Sequence, residues 1–277
     1  MTRSGVRAEY WAVTTMAMNF EPLLAPDEPS PAEVLPDSAK SPFLITCDHA
    51  GKGLPRALGD LGLSESELSR HIAWDVGAAG VARALGRRLG AFAALQTYSR
   101  LAIDCNRRPG VPTSIVEISE TTIVPGNQGL APAEAARRER DIFKPYHVAI
   151  ANELARRAEA KQPTVLIAVH SFTPTFKGVV RPWHVGVLYN RDARLAHALL
   201  ELLREDAELV VGDNEPYAVG DLTDYGVVEY GERAGNLHVE LELRQDLLAE
   251  AAAQTAWAER LSQLLPEALA RIGAQSG

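Results

Sequence analysis

Two apolar runs in this chain each end at a histidine, and no other feature constrains the fold so strongly. Phe43–Cys47 (FLITC) opens into Asp48-His49-Ala50-Gly51, and residues 164–169 (TVLIAV) open into His170-Ser171-Phe172. Short apolar runs that stop at polar loops read as strands buried on both faces, which belong to sheets covered by helices. Helical and strand patterns alternate around them. Helices are predicted at 74–89, stopped by Gly90, at 132–160, where Pro145 restarts the helix, at 192–204, and from a cap at Asp246 to about Arg271. Further strands are predicted at 91–98, 184–189, 208–211 and 237–243. This order predicts an α/β fold, a mixed, mostly parallel central sheet with helices on both faces.

At 277 residues, one α/β domain accounts for the chain, and we place it at 41–277. Residues 1–40 read as an extended or disordered lead-in: six of the 17 prolines fall between Pro22 and Pro42, without apolar periodicity. Met16 and Met18 are alternative starts, and the segment 12–20 is too short and threonine-rich for a signal-peptide core. The net charge of −8, with basic residues scattered, argues against nucleic acid as a partner. No apolar run approaches the roughly 20 residues of a membrane span. Cys47 and Cys105 lie outside any CxxC spacing, so neither a disulfide scaffold nor a cysteine zinc site is indicated, and a cytoplasmic location fits. Dinucleotide, P-loop and serine-esterase motifs are absent.

Open α/β sheets bind ligands at the carboxyl ends of their strands, where His49 and His170 both fall. They either share a site or each brace a loop. A hydrolytic zinc site takes three protein ligands and keeps one open position, and two histidines with a carboxylate are a common set. Asp75, placed at the start of the first long helix, is the candidate carboxylate, although a helix-dipole contact explains it equally well; Asp48 is the reserve. Glu240 and Glu242 share a face of the predicted strand at 237–243, and Glu242, nearer its carboxyl end, is the better placed general base. A salt bridge to Arg244 or Arg107 is the alternative. Arg100, Arg107 and Arg181 are candidates for holding a carboxylate, since a guanidinium matches it with two parallel hydrogen bonds. The segment Gly212-Asp213-Asn214-Glu215-Pro216-Tyr217 reads as a pocket-edge loop or as a plain turn.

The blocks SPFLITCDHAG, HIAWDVGA, YSRLAIDCNRRPG, VPGNQGL, PYHVAI, HSFTP, RPWHVGVLY, GDNEPYAV and ELRQDLL occur in one order from about Ser41 to the final helix. In them the chain resembles the N-formylglutamate amidohydrolase family and, more distantly, the zinc carboxypeptidases and the aspartoacylase and succinylglutamate desuccinylase group. Asp104-Cys105-Asn106-Arg107 resembles the DxNR motif with which that group holds a substrate carboxylate. The resemblance implies a zinc-carboxypeptidase-like fold, one zinc or other divalent ion per chain, His49 and His170 as ligands, Glu242 as base, and Asn106 with Arg107 as the carboxylate clamp. Where the carboxypeptidase-like proteins have HxxE, this chain has Lys52 three residues after His49, so the third ligand is assigned to Asp75. The implied reaction removes the N-acyl group of an acidic amino acid, most simply N-formyl-L-glutamate giving formate and glutamate. Arg181 or Arg100 would meet a second substrate carboxylate, or Arg100 would steady the oxyanion. A deacylase or peptidase for another acyl group or amino acid, and a non-catalytic binder of small anions, are the alternatives.

Overall fold

A computed structural model describes residues 21–38 and 40–275. The alternative starts and the first half of the predicted lead-in fall outside them. The strands are β1 (Ala32–Leu35), β2 (Phe43–Cys47), β3 (Phe92–Gln96), β4 (Ile118–Ser119), β5 (Thr122–Ile123), β6 (Val165–Phe172), β7 (Thr175–Phe176), β8 (Val179–Val180), β9 (Val185–Leu188), β10 (Val211–Asp213) and β11 (Leu237–Arg244). The helices are α1 (Glu65–Leu68), α2 (Ala78–Leu89), α3 (Pro132–Arg138), α4 (Lys144–Glu159), α5 (Arg194–Arg204) and α6 (Ala251–Gln275).

Seven strands form the central sheet in the order β1-β3-β2-β6-β11-β9-β10. Only the β1–β3 and β11–β9 pairs are antiparallel. Side chains alternate across each strand. Ile45, Ile167, Val169, Val239 and Leu241 pack on one face with α2, α5 and α6, while Leu44, Phe92, Ala94 and Leu166 pack on the other with Tyr146 and Ile150 of α4. The mixed sheet with helices on both faces is as the sequence predicts.

Several boundaries differ from the sequence reading. The proline-rich lead-in supplies the edge strand β1, a place that tolerates flanking prolines; the Pro31 carbonyl accepts a hydrogen bond from Thr97 N at 2.9 Å. Helix α2 starts at Ala78 because Gly77 takes a left-handed φ of 82°. Asp75 therefore lies in the preceding turn and opens no helix. Asp246 receives the Arg244 Nε–H at 2.8 Å within a 3₁₀ turn at Gln245–Leu248, and α6 begins only at Ala251. The strand predicted at 208–211 forms instead at Val211–Asp213. Pro145 does sit in the first turn of α4, after a π-helical segment at Glu139–Phe143. Among the described residues, no helix is long and apolar enough to cross a membrane.

Candidate active site

The carboxyl ends of β2, β6 and β11 are neighbours in the sheet, so the residues that follow or finish these strands converge at one edge of it. His49 follows β2, His170 lies within β6, and Glu242 on β11 pairs in register with His170 on one side and Gly186 on the other. Gly186 is required there: a Cβ would meet the Glu215 carbonyl oxygen at 2.0 Å. That close approach brings the 212–217 loop, and with it Tyr217, to the cavity wall, in keeping with its reading as a pocket edge. On the opposite flank a Cβ at Gly51 would lie 1.8 Å from the Thr97 carbonyl, so glycine lets the loop after His49 lie against the end of β3.

Asp75 is drawn to the histidines by the backbone, its N–H donating to the His49 carbonyl at 2.9 Å. Its Oδ2 lies 2.9 Å from His170 Nδ1 and 3.4 Å from His49 Nδ1, and it accepts the Ser171 N–H at 3.3 Å. The three side chains proposed as ligands thus meet, all buried, with one ligand atom from each within 4.8 Å of the others. Their far sides matter as much. His49 Nε2 lies 2.7 Å from Asp104 Oδ1, and His170 Nε2 lies 3.6 Å from Asp48 Oδ2. An imidazole that ligates through one nitrogen commonly donates the other N–H to a carboxylate, and here both rings turn Nδ1 toward Asp75 and Nε2 toward an acid. Two imidazoles and one carboxylate fit a small divalent cation such as zinc. Asp48, the reserve ligand, stands outside that group of three: its Oδ2 faces His170 Nε2, which has no hydrogen-bond partner, and its Oδ1 accepts the Tyr146 hydroxyl proton at 2.7 Å. Lys52 turns to Ser69 and Glu65.

Electrostatics sharpen this arrangement. Burial alone would raise Asp75, but the two histidines outweigh it and hold the carboxyl well below the ordinary range. His170 is opposed by burial and raised well above its usual value by Glu240, Asp48 and Asp75. Glu242 is pushed up to about 8 by burial, with Asp75 adding to the rise and His170 and Arg100 working against it, and its Oε2 has no hydrogen-bond partner. Glu240 is likewise held well above the ordinary carboxylate range, first by burial and then by Asp224. Both glutamates on this face of β11 are buried and line the cavity.

The cavity, about 280 Å³, is walled by His49, Asp75, His170, Glu242, Asn106, Arg107 and Arg100, among others. The arginines differ in their freedom. Arg100 donates Nη2–H to Asp104 Oδ2 at 2.8 Å and lies 3.5 Å from Asp75 Oδ1. Arg107 lines the cavity and donates through Nη1 to the carbonyls of Asn106 and Thr223. Asn106 is oriented by Asp224 and by the Gly226 N–H. Arg181 stands outside that lining, 4.6 Å from the Phe176 ring and 4.8 Å from the Tyr217 ring, with Nη1 unpartnered. Glu242 makes no salt bridge to Arg244 or Arg107; Arg244 is spent on Asp246.

Sequence reasoning missed the function of Asp104, which bridges His49, Arg100 and the Asn106 N–H (2.8 Å). Its signal was present as the first residue of the DxNR stretch. Asp224, which steadies Asn106 from 118 residues away, carried no signal.

The model of the family described as N-formylglutamate amidohydrolase matches residues 41–249. A gene product from Agrobacterium tumefaciens, known from its crystal structure, is 36% identical; the alignment covers 91% of this chain and 99% of that one, with a TM-score of 0.87. The crystal structure of N-formylglutamate amidohydrolase from Ralstonia eutropha JMP134 shares the fold at 19% identity and a TM-score of 0.62, over 86% of this chain and 99% of that one. No curated protein matches the chain significantly. The protein is thus a hydrolase that acts on an amide bond. The chain belongs to the N-formylglutamate amidohydrolase family.

Proposed function

We propose that this chain is a cytoplasmic, zinc-dependent deformylase that converts N-formyl-L-glutamate and water to formate and L-glutamate. The observation that carries the reading is the convergence of His49, Asp75 and His170 beside an unpartnered Glu242 in a cavity that also presents Arg107. His49, His170 and Asp75 would hold one zinc ion per chain, which when bound polarises the acyl oxygen and makes water more acidic.

Glu242 takes the proton from the attacking water and returns it to the leaving nitrogen, the work of a general base that becomes a general acid. Its raised pKa suits both halves of that cycle. Arg107, with Asn106 beside it, binds one substrate carboxylate in the bidentate fashion a guanidinium allows. The second carboxylate is assigned to Arg181, whose buried Nη1 lacks a protein partner and which would be reached only by a shift of Tyr217, the ring that stands between it and the cavity. Arg100 keeps positive charge next to the oxygen that becomes anionic.

Elemental analysis of the purified protein, with formate release measured before and after chelation and zinc restoration, tests this reading. About one zinc per chain and chelator-sensitive, zinc-restored formate release support it. Metal without formate release, joined to hydrolysis of N-acetyl or N-succinyl glutamate, would move the assignment to another acyl group.

A further inference from the structure

The PYHVAI block belongs to α4, which contributes no side chain to the cavity lining, yet Tyr146 and His147 are both buried. Successive residues on a helix point about 100° apart, so one turn reaches two different loops. The Tyr146 hydroxyl donates to Asp48 Oδ1 at 2.7 Å, and the other oxygen of Asp48 faces His170 Nε2. His147 lies 2.9 Å from the Cys105 carbonyl through Nε2 and 2.9 Å from the Tyr230 hydroxyl through Nδ1. Cys105 stands between Asp104 and Asn106, and Tyr230 closes the segment whose Tyr225 N–H donates to the Asn106 carbonyl at 3.2 Å. We propose that Tyr146 and His147 are positioning residues that set the two halves of the site separately, Tyr146 acting through Asp48 on the His170 side and His147 acting through Cys105 on the carboxylate clamp.

The chemistry of each side chain suits that division. Asp48 has two oxygens and a rotatable carboxylate; fixing one oxygen by the tyrosine hydroxyl fixes the direction of the other. His147 donates Nε2–H to the Cys105 carbonyl, and burial pushes it down to about 4 and keeps it neutral, so Nδ1 is left to accept the Tyr230 hydroxyl proton. The hydrogen bond to the Cys105 carbonyl holds the backbone from which Asn106 and Arg107 project. The ring also packs on Phe143 and Tyr225, at 4.1 and 4.8 Å between centroids, so a phenylalanine in its place keeps the packing and loses the polar contacts.

This inference rests on the metal-dependent reading above, and the experiment separates the two. Zinc affinity of the metal-free full-length chain is measured by competition with a chromophoric chelator, KM and kcat for N-formyl-L-glutamate are measured at saturating zinc, and thermal unfolding is followed in parallel. Tyr146→Phe is expected to weaken zinc binding by about three- to tenfold, less than the roughly 10- to 100-fold of a group that bonds the ligand directly because Tyr146 acts one contact further out, with KM unchanged. His147→Phe is expected to raise KM by about three- to tenfold while zinc affinity stays within about twofold, and His147→Gln, which keeps a donor and an acceptor, to recover most of the loss. Equal effects of the two variants on zinc affinity and KM, tracking a common fall in Tm, would overturn the division of labour. So would unchanged values for both. Failure of the wild-type chain itself to bind zinc and release formate would overturn the functional reading instead, and with it the proposed role of Tyr146.

Discussion

Asp104 Oδ1 lies 2.7 Å from His49 Nε2, and this one contact turns the other nitrogen of the ring toward Asp75. Asp104 is buried, and although burial would raise it, Arg100 and His49 hold its carboxyl well below the ordinary range, so it remains an anion able to accept the ring proton. Asp104→Asn keeps the volume and removes the charge. We expect it to lower zinc affinity by about 10- to 100-fold, as outer-shell substitutions do, in a competition titration of the folded protein. An affinity unchanged within twofold would show that His49 does not need its partner.

Glu242 gives two predictions of opposite sign. Glu242→Gln should lower kcat by roughly 10²- to 10⁴-fold, the usual worth of a general base. It should also stabilise the metal-free protein at alkaline pH. The folded-state pKa of about 8 lies above the ordinary 4.5, so the native state binds the extra proton between those values; the stabilisation this gives is full below 4.5 and is lost as pH rises through 8. Thermal melts of metal-free wild type and Glu242→Gln should therefore nearly coincide at pH 5 and separate at pH 9, with the variant higher. Coincidence at both pH values would contradict the raised pKa.

His147 works in the other direction. Its folded-state pKa of about 4 lies below the ordinary 6.5, so the unfolded chain takes up the proton first and the stability it confers is lost as pH falls from 6.5 through 4. At most about 3 kcal/mol is at stake, because each tenfold difference in proton affinity between the folded and unfolded chain is worth about 1.4 kcal/mol. Urea titrations from pH 7 to 4 should show a steeper loss for the wild type than for His147→Gln. Parallel curves would mean that the imidazole is not buried neutral.

Much of the fold was legible because the strongest signals are local. Phe43–Cys47 is a strand as read, β6 begins one residue from its predicted start, and α5 ends at the predicted Arg204. Boundaries failed where a single backbone angle decides them, as at Gly77. The convergence of His49 and His170 was legible too, since both announce themselves where apolar runs end, but the contacts of Asp48 and Asp104 were not. Which carboxylate faces which ring nitrogen depends on the rotation of side chains brought together from 55 and 122 positions apart (104 − 49 and 170 − 48), and no periodicity encodes that. Tyr146 and His147 read as an ordinary helical stretch for the same reason. Arg181 was chosen for its charge, which carries no information about the aromatic rings that now cover it.

Arg157 is a structural cation that composition hides among many surface arginines. It is fully buried, donating Nε–H to Glu153 at 2.7 Å and its terminal nitrogens to the carbonyls of Ser41, Pro42 and Phe43 at 3.1, 3.1 and 2.9 Å. It thereby clips α4 to the start of β2. Arg157→Met removes one donor from each of these carbonyls, of which Ser41 keeps the Gln162 side chain and Pro42 keeps the Val165 N–H, and leaves Glu153 to Arg156 alone, so we expect a loss of about 1–3 kcal/mol in urea unfolding. Arg157→Lys should recover little, because one ammonium does not reproduce the fork.

Arg107 is the cation best placed to read a substrate carboxylate. Arg100 is paired with Asp104 and lies close to Asp75, and Arg181 is covered by Tyr217 and Phe176, whereas Arg107 lines the cavity and spends only Nη1 on protein carbonyls. Arg107→Ala should then raise KM for N-formyl-L-glutamate more than it lowers kcat, since it removes binding that ground state and transition state share. A charge-assisted hydrogen bond contributes about 1.5–3 kcal/mol, so the expected increase is of order 10- to 100-fold. Arg107→Lys should recover the charge but not the second parallel bond, and fall between the two. The uncharged analogue N-formyl-L-glutamine helps to locate the contact. If Arg107 binds the side-chain carboxylate, the variant and the wild type should handle the analogue equally; if it binds the α-carboxylate, which the analogue keeps, the penalty should persist undiminished. A KM for N-formyl-L-glutamate that does not move in Arg107→Ala would remove Arg107 from the clamp and leave Arg181 as the group to test.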